Sequence, residues 1–382
     1  MFKRKLWLFS LIVSAVLLAA ACDDSGGKNP YLIYTGSNTA MKVMWQMTAT
    51  NTCTLEWGTQ EGIYTLGKVT TTENSSSTNQ HIHSYTISGL QPGTKYYYRA
   101  MGGGLTRTGS FYTAPAADAT DVNFLAFGDT RSATTTHDQV CAGVISNFTD
   151  DPETNYQTLA IGVGDIAFDG LEATWNKEFF NKSLTNAQAF LASVPFTPPM
   201  GNHEYDGKTF KKYFAFPYVA NRYWSYDYGP VHVVIVDQYA SYSPGSAQYN
   251  WIEQDLAKST KTWKIIALHE PGWSCASSDL FEGHANNTSV QNYIQPLCVK
   301  YGVSLVIAGH NHYYARAEVG GVTHLTTAGG GAPLYSPRIG EPNVVIAIES
   351  LHYCKFEVRG DELFCEAVTP EGTILDSFNI SK

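Results

Sequence analysis

Positive charge is scarce in this chain. Its 25 lysine and arginine residues are outnumbered by 34 aspartate and glutamate residues, and the formal net charge is -9. Nucleic-acid binding draws on a basic face that neutralises phosphates, so we expect no nucleic acid as a specific partner. Only 15% of the residues are charged while 43% are hydrophobic, which is enough for a sizeable core. The sequence also lacks internal repeats and low-complexity tracts, and it therefore predicts a globular protein.

The apolar run at the amino end is too short for most membrane-spanning helices. It extends from Leu6 to Ala21 and follows the basic Lys3-Arg4-Lys5, a pattern typical of secretory signals. Alanines then lead directly into Cys22, which resembles the lipobox of bacterial lipoproteins, where the cysteine carries the lipid. We therefore expect residues 1–21 to be a lipoprotein signal peptide and residues 22–29 to be a tether.

This amino end also predicts where the protein resides. A lipid on Cys22 would hold it to a membrane in the bacterial cell envelope, outside the cytoplasm, either in the periplasm or at the surface. An ordinary cleaved signal, which would give a secreted protein, and an uncleaved anchor are the alternatives.

Six cysteines are left once Cys22 is set aside, an even number in a compartment that permits disulfides. Cys354 and Cys365 flank Gly360-Asp361, a hairpin-like turn, so they form a plausible cross-strand pair. Buried free thiols are the alternative. The next candidate pair is Cys275 with Cys298, and Cys53 and Cys141 stay unassigned.

The first third of the predicted mature chain is rich in short β-type runs. From Pro30 to Pro115 their spacing and turn residues favour a β-sandwich. The segment from Ile87 to Arg99 resembles the end of a fibronectin type III domain, in which a leucine and a proline precede a strand whose tyrosine ties the corner. We therefore expect a fibronectin type III-like domain at residues 30–115.

After a linker at residues 114–120, strands alternate with helical stretches, as in a layered α/β domain. Apolar residues recur at helical spacing in Thr136 to Phe148 and in Tyr249 to Ala257. The tail from Val344 to Ile380 returns to strands, which we expect to complete one sheet. Residues 121–382 are thus interpreted as one α/β domain.

Residues of metal-ligand type follow apolar strands at several places in this second domain. Such polar groups lie at the carboxyl ends of strands, where open α/β sheets build their sites. Oxygen donors mixed with imidazoles suit Mn, Fe, Zn or Mg, whereas a cysteine-rich set would indicate another chemistry. The blocks are Gly128-Asp129, Gly164-Asp165, Gly201-Asn202-His203-Glu204, His269-Glu270-Pro271 and Gly309-His310-Asn311-His312.

In this order the blocks resemble the calcineurin-like metallophosphoesterase superfamily. With a fibronectin-like domain in front, the chain is most similar to the purple acid phosphatase branch. The resemblance implies a four-layer α/β metallophosphoesterase domain behind a purple acid phosphatase N-terminal-like domain. It also implies two divalent or trivalent metal ions, Fe, Mn or Zn, and a metal-bound hydroxide that attacks a phosphate ester.

The resemblance further implies a role for each residue of the blocks. His203 would act as general acid toward the phosphate or the leaving group, with Glu204 orienting it. Asp165 would bridge the two ions. One ion would be held by Asp129, Asp165 and His312, and the other by Asp165, Asn202, His269 and His310.

Two positions depart from the family pattern. Purple acid phosphatases carry a tyrosine three residues after the second aspartate, where it binds ferric iron and gives the colour, but this chain has Phe168. Many other members have a histidine two residues after the first aspartate, where this chain has Arg131. One metal therefore lacks a protein ligand, and we expect a colourless protein.

Three further residues are candidates for contact with the substrate. Arg131 can pair bidentately with phosphate oxygens, or it can form a structural salt bridge. His137, at the expected start of a helix, can be a ligand, a phosphate contact or a surface residue. The resemblance places His284 where relatives have substrate-contacting histidines.

These features together predict a phosphomonoesterase of the acid-phosphatase type that acts on a phosphate ester. A phosphodiesterase or nucleotidase on extracellular nucleotides is the alternative within the enzymes. A non-catalytic surface binding lipoprotein is the alternative of another class.

Overall fold

A computed structural model describes residues 27–77, 79–148, 155–275 and 283–382. The predicted signal peptide, the lipidation site at Cys22 and most of the predicted tether lie outside these residues. Within the described ranges, every helix is too short or too polar to cross a bilayer.

The N-terminal domain is a sandwich of two four-stranded sheets. Trp45 and Val43 of one sheet and Leu55 and Phe111 of the other are buried in a common apolar core, which explains why the sheets pack face to face. The first sheet contains, in spatial order, β1 (Lys28–Tyr34), β2 (Ala40–Met47), β6 (Gln80–Ser88) and β5 (Glu73–Ser77). The second contains β4 (Gly67–Thr71), β3 (Cys53–Gly58), β7 (Lys95–Gly102) and β8 (Leu105–Tyr112).

Both ends of this domain carry specific contacts. The hydroxyl of Tyr96 accepts a hydrogen bond from the backbone N–H of Gln91 at 2.9 Å, the corner expected from the fibronectin-like segment. At the other end β1 begins at Lys28, inside the segment interpreted as a tether. Lys28 is fully buried, and its Nζ donates to Glu172 Oε1 at 2.7 Å in the second domain.

The second domain contains two sheets. The six-stranded sheet has the spatial order β11 (Phe196–Thr197), β10 (Ala160–Ile161), β9 (Asp121–Ala126), β19 (Tyr353–Arg359), β20 (Glu362–Val368), β21 (Ile374–Ser381). The seven-stranded sheet has the order β12 (Trp224–Tyr228), β13 (Val231–Ile235), β14 (Trp263–Ala267), β15 (Leu305–Ala308), β17 (Val322–Thr327), β16 (Tyr314–Val319), β18 (Val344–Ile348). The α-helices are α1 (Thr134–Ile145), α2 (Glu172–Glu178), α3 (Thr185–Leu191), α4 (Lys208–Tyr213), α5 (Ala247–Lys258) and α6 (Gln295–Tyr301).

Successive residues along a strand point to opposite faces of the sheet, so each sheet of this domain packs against the other sheet on one face and against helices on the other. In β14, Ile265 and Ala267 face the core shared with the six-stranded sheet, whereas Ile266 packs in a second core with Leu256 of α5 and Leu297 of α6. On the opposite side, Val140 of α1 and Phe190 of α3 belong to the first core. The order helix, sheet, sheet, helix confirms the predicted α/β four-layer metallophosphoesterase fold behind a β-sandwich domain.

Parallel strands bring the functional blocks to one edge. In the seven-stranded sheet β13, β14, β15 and β17 run parallel, and in the other sheet β9, β10 and β11 do so. The carboxyl ends of such strands share an edge, so the loops that follow them converge.

The C-terminal tail corrects one expectation. Its strands do not complete a single sheet, because β18 extends the seven-stranded sheet while β19 to β21 belong to the six-stranded one.

The predicted disulfides are wrong, since all six cysteines in the described ranges are buried free thiols. Strand register explains the first pair: Cys354 lies opposite Ala367 and Cys365 opposite Phe356, so the two cysteines are diagonal rather than facing. Cys275 and Cys298 pack in different apolar clusters.

Candidate metal centre

Two groups of candidate ligand atoms meet at the strand ends of the described chain. One consists of Asp129, Asp165 and His312, and the other of Asp165, His269 and His310. Within each group the ligand atoms all lie within 4.8 Å of one another. Asp165 is common to both, as expected of a bridging carboxylate.

Asn202 lies with the second group. Its Oδ1 is 3.0 Å from His269 Nε2, and His310 Nδ1 is 3.1 Å from that same nitrogen. Asp165 Oδ1 is 3.3 Å from it. The residues named for the second ion from the sequence are therefore in one place.

Backbone carbonyls fix the orientation of the imidazole rings. His269 donates from Nδ1 to the Val163 carbonyl at 2.6 Å, and His312 donates from Nδ1 to the Pro333 carbonyl at 2.7 Å. The proton of each ring is thus on Nδ1, which leaves the lone pair of Nε2 facing the carboxylates. This is the arrangement that ligating histidines adopt in metal sites.

Sharp backbone turns aim three of these side chains. Asp129, Asp165 and His310 have φ values of 56°, 52° and 68°, in the left-handed region that non-glycine residues rarely occupy. Such a conformation costs on the order of 1–3 kcal/mol at each residue and persists where the surrounding structure imposes it. The fold therefore holds strain at the donor cluster.

Two glycines are required by close approach to the carboxylates. A Cβ added at Gly309 would overlap the carboxylate of Asp129, and one at Gly201 would overlap that of Asp165. Glycine is therefore needed at these positions because there is no room for a Cβ atom, and not because the chain must be flexible there.

Burial and mutual charge determine the protonation of the cluster. Burial raises the pKa of Asp129 well above its ordinary value. At Asp165 burial acts in the same direction, but the nearby His269 and His203 outweigh it, and the pKa is lowered. Burial opposes a charged His269, yet Asp165 and Asp129 raise its pKa. Burial thus disfavours charge on Asp129, whereas the neighbouring histidines favour it on Asp165.

Arg131 lies against the cluster. Its Nε donates to Asp165 Oδ2 at 3.2 Å, and its Nη2 is 3.3 Å from His312 Nε2. The side chain is largely buried, so the structure shows the salt bridge that was one of the two interpretations of this residue.

The other two candidates for substrate contact lie in different surroundings. His137 is buried in α1, its Nδ1 donates to the Gly330 carbonyl at 3.0 Å, and it belongs to neither donor group. His284 stacks on His310 with ring centroids 3.9 Å apart, and its backbone N–H donates to Asn311 Oδ1 at 2.5 Å. Only His284 therefore borders the cluster.

His203 is oriented by the backbone. Its Nδ1 donates to the Phe168 carbonyl at 2.5 Å, and its Nε2 is 3.9 Å from Asp165 Oδ2. Glu204 accepts hydrogen bonds from the backbone N–H groups of Gly201, Asp165 and Ile166 at 2.7, 3.1 and 2.8 Å. It ties together the two loops that carry Asp165 and His203.

Two further residues at the site were missed by the sequence analysis. Glu178 Oε2 accepts from the backbone N–H groups of Ser132 and Phe168, both at 2.8 Å, which joins the loops after Asp129 and Asp165. Tyr335 stacks on His312 with centroids 4.4 Å apart and planes 8° apart. Neither stands in a motif or a periodic pattern that signals this position.

The donor set suits two cations. Carboxylate oxygens, an amide oxygen and imidazole nitrogens accept Fe, Mn or Zn, and a shared carboxylate is what a pair of adjacent ions needs. The fixed imidazole lone pairs and the left-handed turns provide these donors without rearrangement.

Two family models match the chain. Residues 28–113 match the purple acid phosphatase N-terminal domain, and residues 124–314 match the calcineurin-like phosphoesterase domain. Purple acid phosphatase 23 of Arabidopsis thaliana is 29% identical over 62% of this chain and 57% of its own length. Purple acid phosphatase 22 of the same plant is 28% identical over 72% of this chain and 65% of its own length. The chain thus spans less than two thirds of either relative.

Solved structures agree on the fold. Purple acid phosphatase PPD1 from yellow lupin (Lupinus luteus) seeds aligns with a TM-score of 0.78 at 20% identity, covering 93% of this chain and 74% of that one. PhoD aligns with a TM-score of 0.70 at 12% identity, covering 94% and 90%. The chain belongs to the calcineurin-like phosphoesterase family and carries the N-terminal domain of purple acid phosphatases.

Proposed function

We propose that this protein is a metal-dependent phosphoric ester hydrolase, a phosphomonoesterase of the acid-phosphatase type. The observation that carries the proposal is the pair of donor groups that share Asp165, with Arg131 and His203 at their edge.

The metal ligands are part of this proposal. Asp165 would bridge two ions of Fe, Mn or Zn. When bound, the two ions activate water and neutralise charge on the phosphate. One ion would be held by Asp129, Asp165 and His312, and the other by Asp165, Asn202, His269 and His310.

The remaining residues bind and protonate the substrate. His203 presents Nε2 to the site because Nδ1 is bonded to the Phe168 carbonyl, so a proton on Nε2 can pass to the departing oxygen. Burial lowers the pKa of His203, and Asp165, 3.9 Å away, opposes this shift. Arg131 can release its bond to Asp165 and pair with two phosphate oxygens. His284, stacked on His310, would be a further contact for the ester.

The location and the domain bounds also belong to the proposal. The basic and apolar start of the chain followed by Cys22 supports a lipoprotein of the bacterial cell envelope, anchored to the membrane by its lipid. The spans proposed for the two domains are residues 30–115 and 121–382, with β1 extending the first to Lys28. Replacing Cys22 by serine should release the protein from the membrane fraction, and unchanged retention would contradict the anchor.

A paired assay tests the activity. The protein is reconstituted with Mn, Fe and Zn in turn and given 4-nitrophenyl phosphate and bis(4-nitrophenyl) phosphate. We expect faster turnover of the monoester. Preference for the diester would indicate the phosphodiesterase or nucleotidase, and absence of turnover at full metal occupancy over a wide pH range would indicate the binding lipoprotein.

The colour of the protein tests the metal environment. Phe168 stands where purple relatives have an iron-binding tyrosine, and its ring carries no oxygen to coordinate a metal. We expect the iron-loaded protein to show no tyrosinate-to-iron absorption band. A visible band of that kind would contradict the assignment.

A further inference from the structure

Three large apolar side chains of the described chain stand exposed beside His203. Phe168 is 49% exposed, and Leu171 and Tyr205 are each 64% exposed. Exposed apolar residues scattered singly are ordinary, whereas a cluster at the edge of a polar site indicates a binding surface. We call Phe168, Leu171 and Tyr205 the apolar rim.

The rim comes from two loops in contact. His203 donates to the Phe168 carbonyl, and Thr209 donates to the carbonyl of Gly170. A Cβ placed on Gly170 would lie 3.8 Å from the Cβ of Tyr205. Gly170 directly precedes Leu171, so the loop that carries Phe168 and Leu171 lies against the turn that carries Tyr205.

The rim lies on the side of the proposed proton donor. The ring centroids of Phe168 and His203 are 5.3 Å apart, and the Cζ atom of Arg131 is 6.0 Å from the Phe168 centroid. The Phe168 ring is therefore a neighbour both of the group assigned to the phosphate and of the group assigned to the leaving oxygen.

The position of the rim is imposed by the fold. Tyr205 has φ 51°, a strained value for a residue whose ring gains nothing from burial. Two backbone hydrogen bonds stabilise this turn. The Tyr205 N–H donates to the Asn202 carbonyl at 3.3 Å, and the Gly207 N–H donates to the Glu204 carbonyl at 2.9 Å. On the other loop the Phe168 N–H is bonded to buried Glu178. Strain kept at an exposed aromatic residue beside a site indicates a role in binding.

We propose that the apolar rim binds the organic group of the phosphoester and selects esters of aromatic or other apolar alcohols over esters of small alcohols. This inference rests on the proposed hydrolase function. Hydrolysis breaks the bond from phosphorus to the alcohol oxygen, forms one to the oxygen of water, and transfers a proton from His203 to the departing oxygen. The attacking water releases a proton to solvent, and His203 takes one up from solvent to complete the cycle. The rim holds the alcohol during this step, and apolar contact of this size discriminates by about ten-fold or more.

Turnover of two alkyl esters tests the proposal. Benzyl phosphate and ethyl phosphate release alcohols of similar acidity, so the ratio of their kcat/KM values reports contact with the organic group. We expect the wild type to prefer the benzyl ester by about ten-fold. Phe168→Ala should abolish most of this preference and Tyr205→Ala part of it. Phe364→Ala is the matched control, since Phe364 is an exposed aromatic residue in β20.

Two outcomes separate this inference from the hydrolase proposal. If both esters are turned over and the ratio of their kcat/KM values is the same in both rim variants as in the wild type, the proposed role of the apolar rim is wrong. If the wild type hydrolyses neither ester, the test is the affinity of the metal-loaded protein for benzylphosphonate and for methylphosphonate, measured by calorimetry. Tighter benzylphosphonate binding that is lost in Phe168→Ala would support the rim, and equal affinities would overturn it.

Discussion

At the scale of single residues, His203 depends on one backbone carbonyl for its orientation. The bond from Nδ1 to Phe168 leaves Nε2 toward the site, and His203 is in neither group of metal donors. We expect His203→Ala to lower kcat by about 10²- to 10⁴-fold while metal content is retained, because only the proton donor is removed. Steady-state kinetics with metal analysis of the same sample measures both quantities. Loss of a metal equivalent would show that His203 is a ligand instead.

Arg131 has two possible partners, Asp165 and a phosphate. If the guanidinium binds substrate, Arg131→Ala should raise KM by about ten-fold, and Arg131→Lys should restore little, because an ammonium cannot pair bidentately. KM values from initial rates measure this. An unchanged KM together with lower thermal stability would show that Arg131 forms a structural salt bridge and does not bind the substrate.

The residues of the site differ in how far their positions could be predicted from the sequence. Asp129, Asp165 and His310 could be predicted because each follows a strand, and strands converge at their carboxyl ends. His137 was harder to assign, yet it shares the inward stripe of α1 with Val140, where burial lowers its pKa to about 4. Glu178 and Tyr335 were not predictable, since their contacts join distant segments without a local pattern.

At the scale of elements, a charged histidine joins the β12–β13 hairpin to α5. His232 bonds Asp227 through Nδ1 at 2.7 Å and Asp255 through Nε2 at 2.9 Å. Burial opposes the charged ring, but the hydrogen bonds to these aspartates outweigh it and raise the pKa of His232 to about 9. The stabilisation is therefore complete below the unfolded-state pKa of about 6.5 and is lost as the pH rises through about 9.

The variant His232→Gln tests this link. Near pH 6 it should lower the free energy of unfolding by about 2 kcal/mol, the contribution of charged hydrogen bonds. Above pH 9 the difference from wild type should shrink. Urea unfolding at both pH values measures the free energy of unfolding of each protein. If the difference between variant and wild type does not change with pH, His232 is not charged as assigned.

Element boundaries followed from periodicity only where the strands or helices are long. The expected helix Tyr249 to Ala257 is α5, Ala247–Lys258, in which Ile252 and Leu256 are buried and Trp251 is half-buried. In contrast, β10 and β11 have two residues each, too few for any pattern. The predicted start of the first domain, residue 30, lies inside β1, because a buried lysine opens this strand and its burial depends on a partner in the other domain.

At the scale of the whole molecule, the two domains share a core. Tyr31, Ile33 and Met44 of the sandwich belong to the same apolar cluster as the strands of the six-stranded sheet. The sequence predicted two domains and a linker, but it could not show this interface, since apolar residues that face another domain look like those of an internal core.

Lys28 offers a test of this interface. Its Nζ bonds Glu172 and Asn176 and lies 4.4 Å from the centroid of the Tyr213 ring, out of contact with water. We expect Lys28→Met to lower the free energy of unfolding by about 3 kcal/mol, because Glu172 loses a buried partner. Lys68→Met is the control, since the Lys68 side chain is 65% exposed and Glu56 keeps its bond to Arg99 at 2.6 Å, so this change should matter little.

Denaturant unfolding and limited proteolysis measure the effect. Faster cleavage between the domains should accompany the loss of stability in Lys28→Met. Equal unfolding curves for the two lysine variants would show that the buried pair does not hold the domains together.

The pairing of β9 bears on when the metal centre can form during folding. This strand, which leads to Asp129, lies between β10 and β19, and the bond from Arg359 to Asn123 joins residues 236 positions apart. Contacts so distant in sequence form slowly and leave a strand edge open meanwhile. Asp129 therefore follows a half-paired strand until β19 joins β9. We accordingly expect metal binding to be a late step of folding that follows closure of this sheet.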